Sequence, residues 1–213
     1  LKAVFKDEEF RYYSLFVTSF TLVIFCGLLF STNREGEQAF RDSLFQVVSI
    51  ITTTGFATDD YLAWMPILTI LIFVLFFFGG SAGSTGGSIK IMRIVLLLKN
   101  SYYELRRMVH PQAVIPVKFN RHSVDSKIVT NVLAFFMFYL IIFFTSVVIF
   151  TIMEPDLESS MGAVASSLGN IGPGLGNVGP AENYLHLKPA GKWFLSFLML
   201  LGRLELFTVL VLL

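Results

Sequence analysis

The segment from residue 79 to residue 88 reads Gly79-Gly80-Ser81-Ala82-Gly83-Ser84-Thr85-Gly86-Gly87-Ser88 and interrupts an apolar run that begins at Pro66 and resumes at Ile89. Five of its ten residues are glycine. Each glycine costs a helix about 1 kcal/mol relative to alanine, so an unbroken helix is not expected here. Non-helical backbone in apolar surroundings is tolerated where it is buried in protein or lines a water-filled cavity. The segment therefore predicts a loop inside a helix-length apolar element.

Two other interpretations of this segment are weaker. A nucleotide-binding loop would continue into Gly-Lys-Ser/Thr, and this chain continues into Ile89 and Lys90. The spacing of Gly79 and Gly83 also matches a packing motif of membrane helices. Ten consecutive small or polar residues would not keep such a helix intact, so the loop is favoured.

The composition is that of a membrane protein. Hydrophobic residues make up 54% of the 213 residues and charged residues 15%, whereas soluble domains carry about 25% charged residues. Two runs without any charge, residues 12–33 and 128–153, exceed the ~20 residues that a membrane-crossing helix needs. A soluble fold is excluded by these runs. A membrane enzyme is excluded because no cluster of His, Cys or acidic residues falls within them.

The chain contains an internal repeat. The charge-free runs predict helices at residues 12–30 and 128–153. Each is followed by a short helix, predicted at 42–51 and 157–168, and by a glycine-containing segment. A second apolar helix comes next, interrupted by the 79–88 loop in the first repeat and predicted at 192–213 in the second. A shift of 114 residues places Gly55 on Gly169. The predicted fold is an all-α integral membrane protein with two helix–pore helix–helix repeats. The predicted units are residues 1–107, a basic connection at 108–127, and residues 128–213.

The distribution of charge predicts the orientation. Between Lys90 and Lys127 there are eight Lys or Arg residues and two acids, which places this side in the cytoplasm by the positive-inside rule. The opposite side carries the acids Asp59, Asp60, Glu154, Asp156, Glu158 and Glu182. These acids would attract cations to a vestibule, or they simply occupy exposed turns.

The segments around Gly55 and Gly169 are predicted to bind cations. A selectivity filter needs backbone carbonyls that point at one axis, and glycine relaxes the φ restriction that opposes this arrangement. A short helix before each segment directs its partly negative C-terminal end towards the ion. Two ordinary turns after short helices are the alternative. The predicted ion-binding residues, through their backbone carbonyls, are Thr53, Thr54, Gly55, Phe56, Leu168, Gly169 and Asn170.

Arg203 is predicted to act with the 79–88 loop. An arginine inside an apolar helix costs at least ~2.5–3.5 kcal/mol and is functional by default. The repeat, with its longer second external turn, places Arg203 at the level of the loop. We expect Arg203 to donate to loop carbonyls and to hold a gate, and the alternative is an arginine that extends to the membrane interface. The predicted gate consists of Arg203 with Gly79, Gly80, Gly83, Ser84, Thr85, Gly86 and Gly87.

Four motifs together resemble the TrkH branch of the Trk/Ktr/HKT superfamily, and they are Ile51-Thr52-Thr53-Thr54-Gly55-Phe56, the 79–88 loop with Ile89-Lys90, Leu168-Gly169-Asn170-Ile171-Gly172-Pro173-Gly174, and Gly202-Arg203-Leu204-Glu205. That family has four helix–pore–helix repeats around one pseudo-fourfold, K+-channel-like pore, and this chain is similar to repeats three and four. The resemblance implies that Gly55 and Gly169 are two of four filter glycines, that residues 79–88 form an intramembrane gate loop, and that Arg203 contacts it.

The resemblance also implies partners and a location. Family members take up K+ through the cell membrane as multi-pass homodimers, with a cytoplasmic nucleotide-binding regulatory subunit. The basic region from Lys99 to Lys127 is the expected docking surface for that subunit. The N-terminal half of the same protein would complete the pore. We expect no enzyme activity, no nucleic acid and no cofactor, with K+ as the transported ion. A Na+-permeable protein or an ion-coupled secondary transporter of the same architecture remains the alternative.

Overall fold

The computed structural model describes residues 7–32, 34–110, 115–120 and 122–204. Within these ranges the chain is mostly helical. Two pairs of two-residue strands accompany the helices: β1 (Phe78–Gly79) runs parallel to β2 (Ile89–Lys90), and β3 (Lys118–Phe119) runs antiparallel to β4 (His122–Ser123). The α-helices are α1 (Glu8–Ser31), α2 (Gly36–Ile51), α3 (Pro66–Leu75), α4 (Ile91–Val109), α5 (Ser126–Met153), α6 (Leu157–Gly169) and α7 (Pro189–Arg203).

Two of the described helices, α1 and α5, are long and apolar enough to cross a membrane. They contain the predicted helices at 12–30 and 128–153. Helix α3 is apolar but has only ten residues, a length of ~15 Å. It ends at Leu75, with three residues between it and the 79–88 loop, so the predicted break in this apolar element is present. The β1–β2 bridge closes the loop at its base by pairing Phe78 with Ile89 and Gly79 with Lys90.

Several predicted boundaries were wrong. Helix α2 begins at Gly36, six residues before the predicted start at Asp42, because Glu37, Gln38 and Ala39 are good helix formers despite their polarity. Helix α4 continues to Val109, two residues into the predicted 108–127 connection, and the division of the chain at residues 107 and 108 stays a prediction. Helix α7 begins at Pro189 rather than Lys192. The predicted continuation of α7 to Leu213 lies outside the described residues.

Aromatic side chains hold the interrupted element against both long helices. Phe77 of the turn after α3 meets Phe143 of α5, with ring centroids 5.1 Å apart and nearly perpendicular rings. On the other side, Phe78 of β1 contacts Phe16 and Phe20 of α1 at 5.2 and 5.7 Å. Such tilted and edge-to-face pairs contribute about 0.5–1.5 kcal/mol each beyond burial. The base of the 79–88 loop is therefore firmly packed between α1 and α5.

Some of the acids on the predicted outer side have structural partners. Asp156 caps the N-terminus of α6 by accepting from the Ser159 backbone N–H at 3.1 Å. This bond and one from the Ser159 hydroxyl lower the pKa of Asp156. Asp60 likewise caps a 3-10 turn by accepting from the Leu62 N–H at 2.9 Å. Capping by an acidic side chain is a common helix-stabilising contact, so these two acids are not free contributors to a vestibule.

A further acid, Asp59, belongs to a charged cluster beside α2. The Arg34 guanidinium pairs with Asp59 and, at 3.1 Å, with Asp42. The Trp64 indole N–H also donates to Asp59, at 2.7 Å. Burial raises the pKa of Asp59, but the hydrogen bonds from Arg34 and Trp64 outweigh this effect and lower it below its usual value. The cluster ties the chain that follows Gly55 to the start of α2.

Replacement of Asp59 by Asn is expected to lower the melting temperature of the full-length protein in detergent at pH 7 by roughly 1–2 °C, the equivalent of about 1 kcal/mol. A carboxylate whose folded pKa is depressed stabilises the fold above its unfolded pKa of about 3.9, and this contribution is lost as the pH falls through the folded pKa. The difference between variant and unmodified protein should therefore shrink below about pH 4.

The matched control for this experiment is Glu37→Gln. Glu37 faces solvent and lies 3.9 Å from Arg41, with its side chain 87% exposed, so its replacement should leave the melting temperature unchanged. An Asp59→Asn difference that stays the same between pH 3 and pH 7, or that is absent at pH 7, would contradict the role of the cluster.

Candidate functional site

The chain follows the same backbone path after α2 and after α6. Thr53 and Asn170 both adopt a left-handed conformation, with φ of 55° and 54°. Two residues later, Gly55 and Gly172 have φ of 77° and 122°. Each pair is separated by 117 residues in the sequence (170 − 53 and 172 − 55). We call residues 52–57 the first glycine segment and residues 169–174 the second glycine segment.

This geometry corrects the predicted alignment of the repeat. Gly169 is the last residue of α6, and the backbone counterpart of Gly55 is Gly172. The 114-residue shift had paired the first glycine after each predicted short helix, which are Gly55 and Gly169. The positive φ values instead match Asn170 with Thr53, because asparagine is one of the few non-glycine residues that tolerate the left-handed region. Gly169 and Leu168 therefore precede the part of the chain that matches Gly55.

The two glycine segments lie against each other. A Cβ added to Gly55 would lie 2.0 Å from the Ile171 carbonyl oxygen, far inside the contact distance of a carbon and an oxygen. A Cβ added to Gly172 would lie 3.9 Å from the Gly55 Cα. Only glycine at position 55 permits this approach, and its φ of 77° also favours glycine. The ends of α2 and α6 therefore bring backbone from both halves of the chain to one place.

The 79–88 loop packs against both glycine segments. A Cβ on Gly86 would lie 2.7 Å from the Thr53 hydroxyl oxygen, and a Cβ on Gly87 would lie 2.4 Å from the Gly169 carbonyl oxygen. Ser88, the last residue of the loop, has φ of 60° and donates its hydroxyl to the Phe76 carbonyl at 2.7 Å. The loop thus lies directly beside the predicted ion-binding residues, with Gly86 against the Thr53 side chain and Gly87 against the Gly169 backbone.

Helix α7 reaches the loop through Gly202 and Arg203. A Cβ on Gly202 would lie 2.0 Å from the Leu168 carbonyl oxygen, so this glycine lets α7 approach the end of α6. Asn170 strengthens the contact by donating to the Met199 carbonyl at 3.0 Å. The Arg203 guanidinium then donates to the Thr85 carbonyl. The resemblance implied a contact between Arg203 and the loop, and the structure places these two groups together.

Comparison with known proteins gives the family. A family model described as "TrkH: Cation transport protein" matches residues 11–213. This chain belongs to the TrkH family of cation transport proteins. It is 40% identical over 216 residues to the Trk system potassium uptake protein TrkH of Escherichia coli, covering 100% of this chain and 44% of that protein. It is also 40% identical to TrkH of Halomonas elongata over 98% of this chain and 43% of that protein.

The fold is likewise that of a TrkH protein. The crystal structure of the potassium transporter TrkH from Vibrio parahaemolyticus matches with a TM-score of 0.92 and 39% identity, over 100% of this chain and 45% of that one. The chain thus spans somewhat less than half the length of the TrkH proteins it matches. This share agrees with the prediction that the sequence corresponds to half of a longer protein. The family description names cation transport and no enzymatic reaction.

Lys90 is a contact of the 79–88 loop that the sequence did not reveal. It was counted among the basic residues of the cytoplasmic side, but in this TrkH chain Lys90 is only 5% exposed. Its ammonium group donates to the Ser84 carbonyl, and it lies 3.3 Å from the Gly86 carbonyl and from the Ser84 hydroxyl. The signal in the sequence was the position of Lys90 between two isoleucines, where a solvated lysine is not expected.

The other predicted gate residues differ in how tightly they are held. Gly79 lies in β1, where a Cβ would be 2.6 Å from the Gly87 carbonyl oxygen. At Gly80 a Cβ would be 2.7 Å from the Ser84 hydroxyl oxygen. Gly83 has nothing within 4 Å of an added Cβ, so it lies at the open tip of the loop. Near this tip, the Ala82 N–H donates to Glu9 of α1.

Proposed function

We propose that the full-length protein takes up K+ through a channel-like pore in the cell membrane, and that this chain supplies two of its selectivity-filter segments. The observation that carries the proposal is the meeting of the two glycine segments, where Gly55 lies against the Ile171 carbonyl. Rings of backbone carbonyls replace the hydration shell of a conducted cation. Both segments follow the C-terminal end of a helix, which adds partial negative charge towards the ion.

The proposed filter differs from the one predicted by sequence in its second half. The first segment contributes carbonyls from Thr53, Thr54 and Gly55. The Phe56 carbonyl, which was also predicted to bind the ion, accepts from the Ser49 hydroxyl instead. In the second segment the backbone match moves the filter glycine from Gly169 to Gly172, so that Asn170 and Ile171 are the proposed ion-facing residues. Leu168 and Gly169 then act at the inner end, where their carbonyls lie close to Gly202 and Gly87 respectively.

The proposed gate is the 79–88 loop with Arg203. The loop lies beside both glycine segments, and a closed loop there would obstruct the exit of the filter. Arg203 holds the loop through the Thr85 carbonyl, and Lys90 holds it through the Ser84 carbonyl. Both contacts place positive charge near the path of a cation, which would also oppose conduction.

The remaining partners are proposals of the same kind. Two repeats do not enclose a fourfold pore, so the N-terminal half of the protein is the expected neighbour of the exposed apolar residues of α2, among them Phe40, at 45% exposure. The lipid bilayer and a second protomer would cover others. The region from Lys99 to Lys127 is the proposed docking surface for a cytoplasmic nucleotide-binding subunit; part of its charge is used within the chain, because Lys99 pairs with Glu8.

Ion-coupled secondary transport and Na+ permeation are the second candidates. Coupled transporters place ion sites at discontinuous helices near the membrane centre, and acidic residues inside a membrane mark ion pathways and proton relays. In the described part of this chain, no group of three or more His, Cys, Asp or Glu side chains comes together. The backbone carbonyls of the glycine segments are therefore the better-supported cation ligands.

Uptake of Rb+, as a tracer for K+, by cells that lack their own K+ uptake systems tests the proposed function. Cells with the full-length protein should accumulate Rb+, and a tenfold excess of Na+ should not prevent this. Gly55→Ala should abolish the discrimination or the uptake, because its Cβ would lie 2.0 Å from the Ile171 carbonyl oxygen. The matched control is Gly36→Ala at the start of α2, where an added Cβ meets nothing within 4 Å.

The outcomes separate the candidates. Uptake that favours Na+ would support the Na+-permeable alternative, and uptake that requires a proton or Na+ gradient would support coupled transport. Equal Rb+ uptake by the unmodified protein and by a correctly assembled Gly55→Ala protein would contradict the proposed filter.

Replacement of Arg203 by Ala is expected to raise Rb+ flux through the full-length protein in liposomes, because the 79–88 loop loses its contact at Thr85 and the path loses a positive charge. Arg203→Lys retains the charge and should show an intermediate flux, since lysine lacks the planar set of donors. Flux identical to that of the unmodified protein in both variants would contradict the gate.

A further inference from the structure

A buried serine occupies the same place in both pore-type helices. Ser49 of α2 and Ser166 of α6 are 5% and 1% exposed, and they are separated by the same 117 residues as the glycine segments (166 − 49). The Ser49 hydroxyl donates to the Phe56 carbonyl at 2.6 Å. The Ser166 hydroxyl donates to the Gly172 carbonyl at 2.8 Å. Each serine thus contacts the glycine segment that follows its own helix.

The main chain of each serine contacts the same segment. The Ser49 carbonyl accepts from the Thr54 N–H at 2.9 Å, and the Ser166 carbonyl accepts from the Ile171 N–H at 3.0 Å. Thr54 and Ile171 are again 117 residues apart. In the second repeat the Gly172 N–H also donates to the Ser166 hydroxyl oxygen, at 3.0 Å. Each serine therefore holds its segment at two points, Ser49 at Thr54 and Phe56, and Ser166 at Ile171 and Gly172.

These contacts are unlike the usual behaviour of a serine in a helix. A helical serine generally satisfies its hydroxyl by donating to a carbonyl three or four residues earlier. Ser43 of α2, which is fully buried, behaves in this way and donates to the Phe40 carbonyl at 2.9 Å. Ser49 and Ser166 instead donate six or seven residues forward, out of the helix. Two independent occurrences of this contact in one chain indicate a shared requirement of the glycine segments.

A hydrogen bond from a serine determines which carbonyls are available to an ion. A carbonyl oxygen has two acceptor positions. The Gly172 carbonyl accepts from Ser166 and also from the Tyr184 hydroxyl, at 2.8 Å, so both positions are occupied. The Phe56 carbonyl has one position occupied by Ser49. The carbonyl at the far end of each segment is therefore engaged by its serine, fully at Gly172 and at one acceptor position at Phe56, whereas those nearer the helix have no such bond from a serine hydroxyl.

We propose that Ser49 and Ser166 are positioning residues of the filter, which hold the end of each glycine segment and thereby set the discrimination between K+ and Na+. The proposal rests on the proposed function. Selectivity depends on the number and orientation of carbonyl dipoles around the ion. A segment that loses its serine contact can rotate the released carbonyl towards the ion path and admit ions of other sizes.

The experiment measures Rb+ uptake by the full-length protein in liposomes, with and without competing Na+. Ser49→Ala and Ser166→Ala should each reduce the preference for Rb+ over Na+ about fivefold, the effect of one lost hydrogen bond, while Rb+ uptake persists. Ser49→Thr and Ser166→Thr keep the hydroxyl and should restore the preference. Ser43→Ala is the matched control, because it removes an equally buried hydroxyl from α2 without touching a glycine segment.

The outcomes decide the proposal in each case. An unchanged preference in correctly assembled Ser49→Ala and Ser166→Ala proteins would overturn it, and so would an equal loss in Ser43→Ala, which would indicate a packing effect. If the alanine variants do not assemble, Ser→Cys variants keep the volume with a weaker donor, and the same ratio decides. Absence of Rb+ uptake by the unmodified protein would contradict the proposed function and this proposal together.

Discussion

The close approach of Gly55 to the Ile171 carbonyl is the constraint on which the rest of the arrangement depends. Two backbone segments meet only if neither carries a side chain at the contact, and a Cβ at position 55 would lie 2.0 Å from that oxygen. The same principle recurs at Gly87 against the Gly169 carbonyl and at Gly202 against the Leu168 carbonyl. Glycines therefore gather the ends of α2, α6 and α7 with the 79–88 loop into one backbone-lined site.

Different side chains hold the backbone on the two sides of this site. On one side, Arg34 and Trp64 donate to the Asp59 carboxylate and fix the chain that leaves the first glycine segment. On the side of the 79–88 loop, Lys90 and Arg203 donate to loop carbonyls. Cationic groups thus hold backbone oxygens of the loop, whereas serine hydroxyls hold those of the glycine segments. The carbonyls that we propose to face the ion are left without a cationic competitor among these contacts, which suits a filter built from carbonyl oxygens.

The sequence predicted the features that depend on local composition, and it failed where tertiary contacts decide. The charge-free runs predicted α1 and α5, and the glycines of the 79–88 loop predicted the break after α3. The match of Gly55 with Gly169 was wrong because residue identity does not report φ, although Asn170 was a usable signal for the left-handed position. Lys90 was counted only among the basic residues of the cytoplasmic side, because its burial depends on how the loop folds back over it. The forward bonds of Ser49 and Ser166 likewise exist only once the segments have turned.

The central claim is that backbone carbonyls of the two glycine segments bind the transported cation. Crystals of the full-length protein grown in Rb+ and measured at the Rb absorption edge test it most directly. The account predicts an anomalous peak between the segments, within coordination distance of the Thr54 and Ile171 carbonyl oxygens and away from the Gly172 carbonyl. A well-measured map with no peak there, or with Rb+ bound instead at acidic side chains, would contradict it.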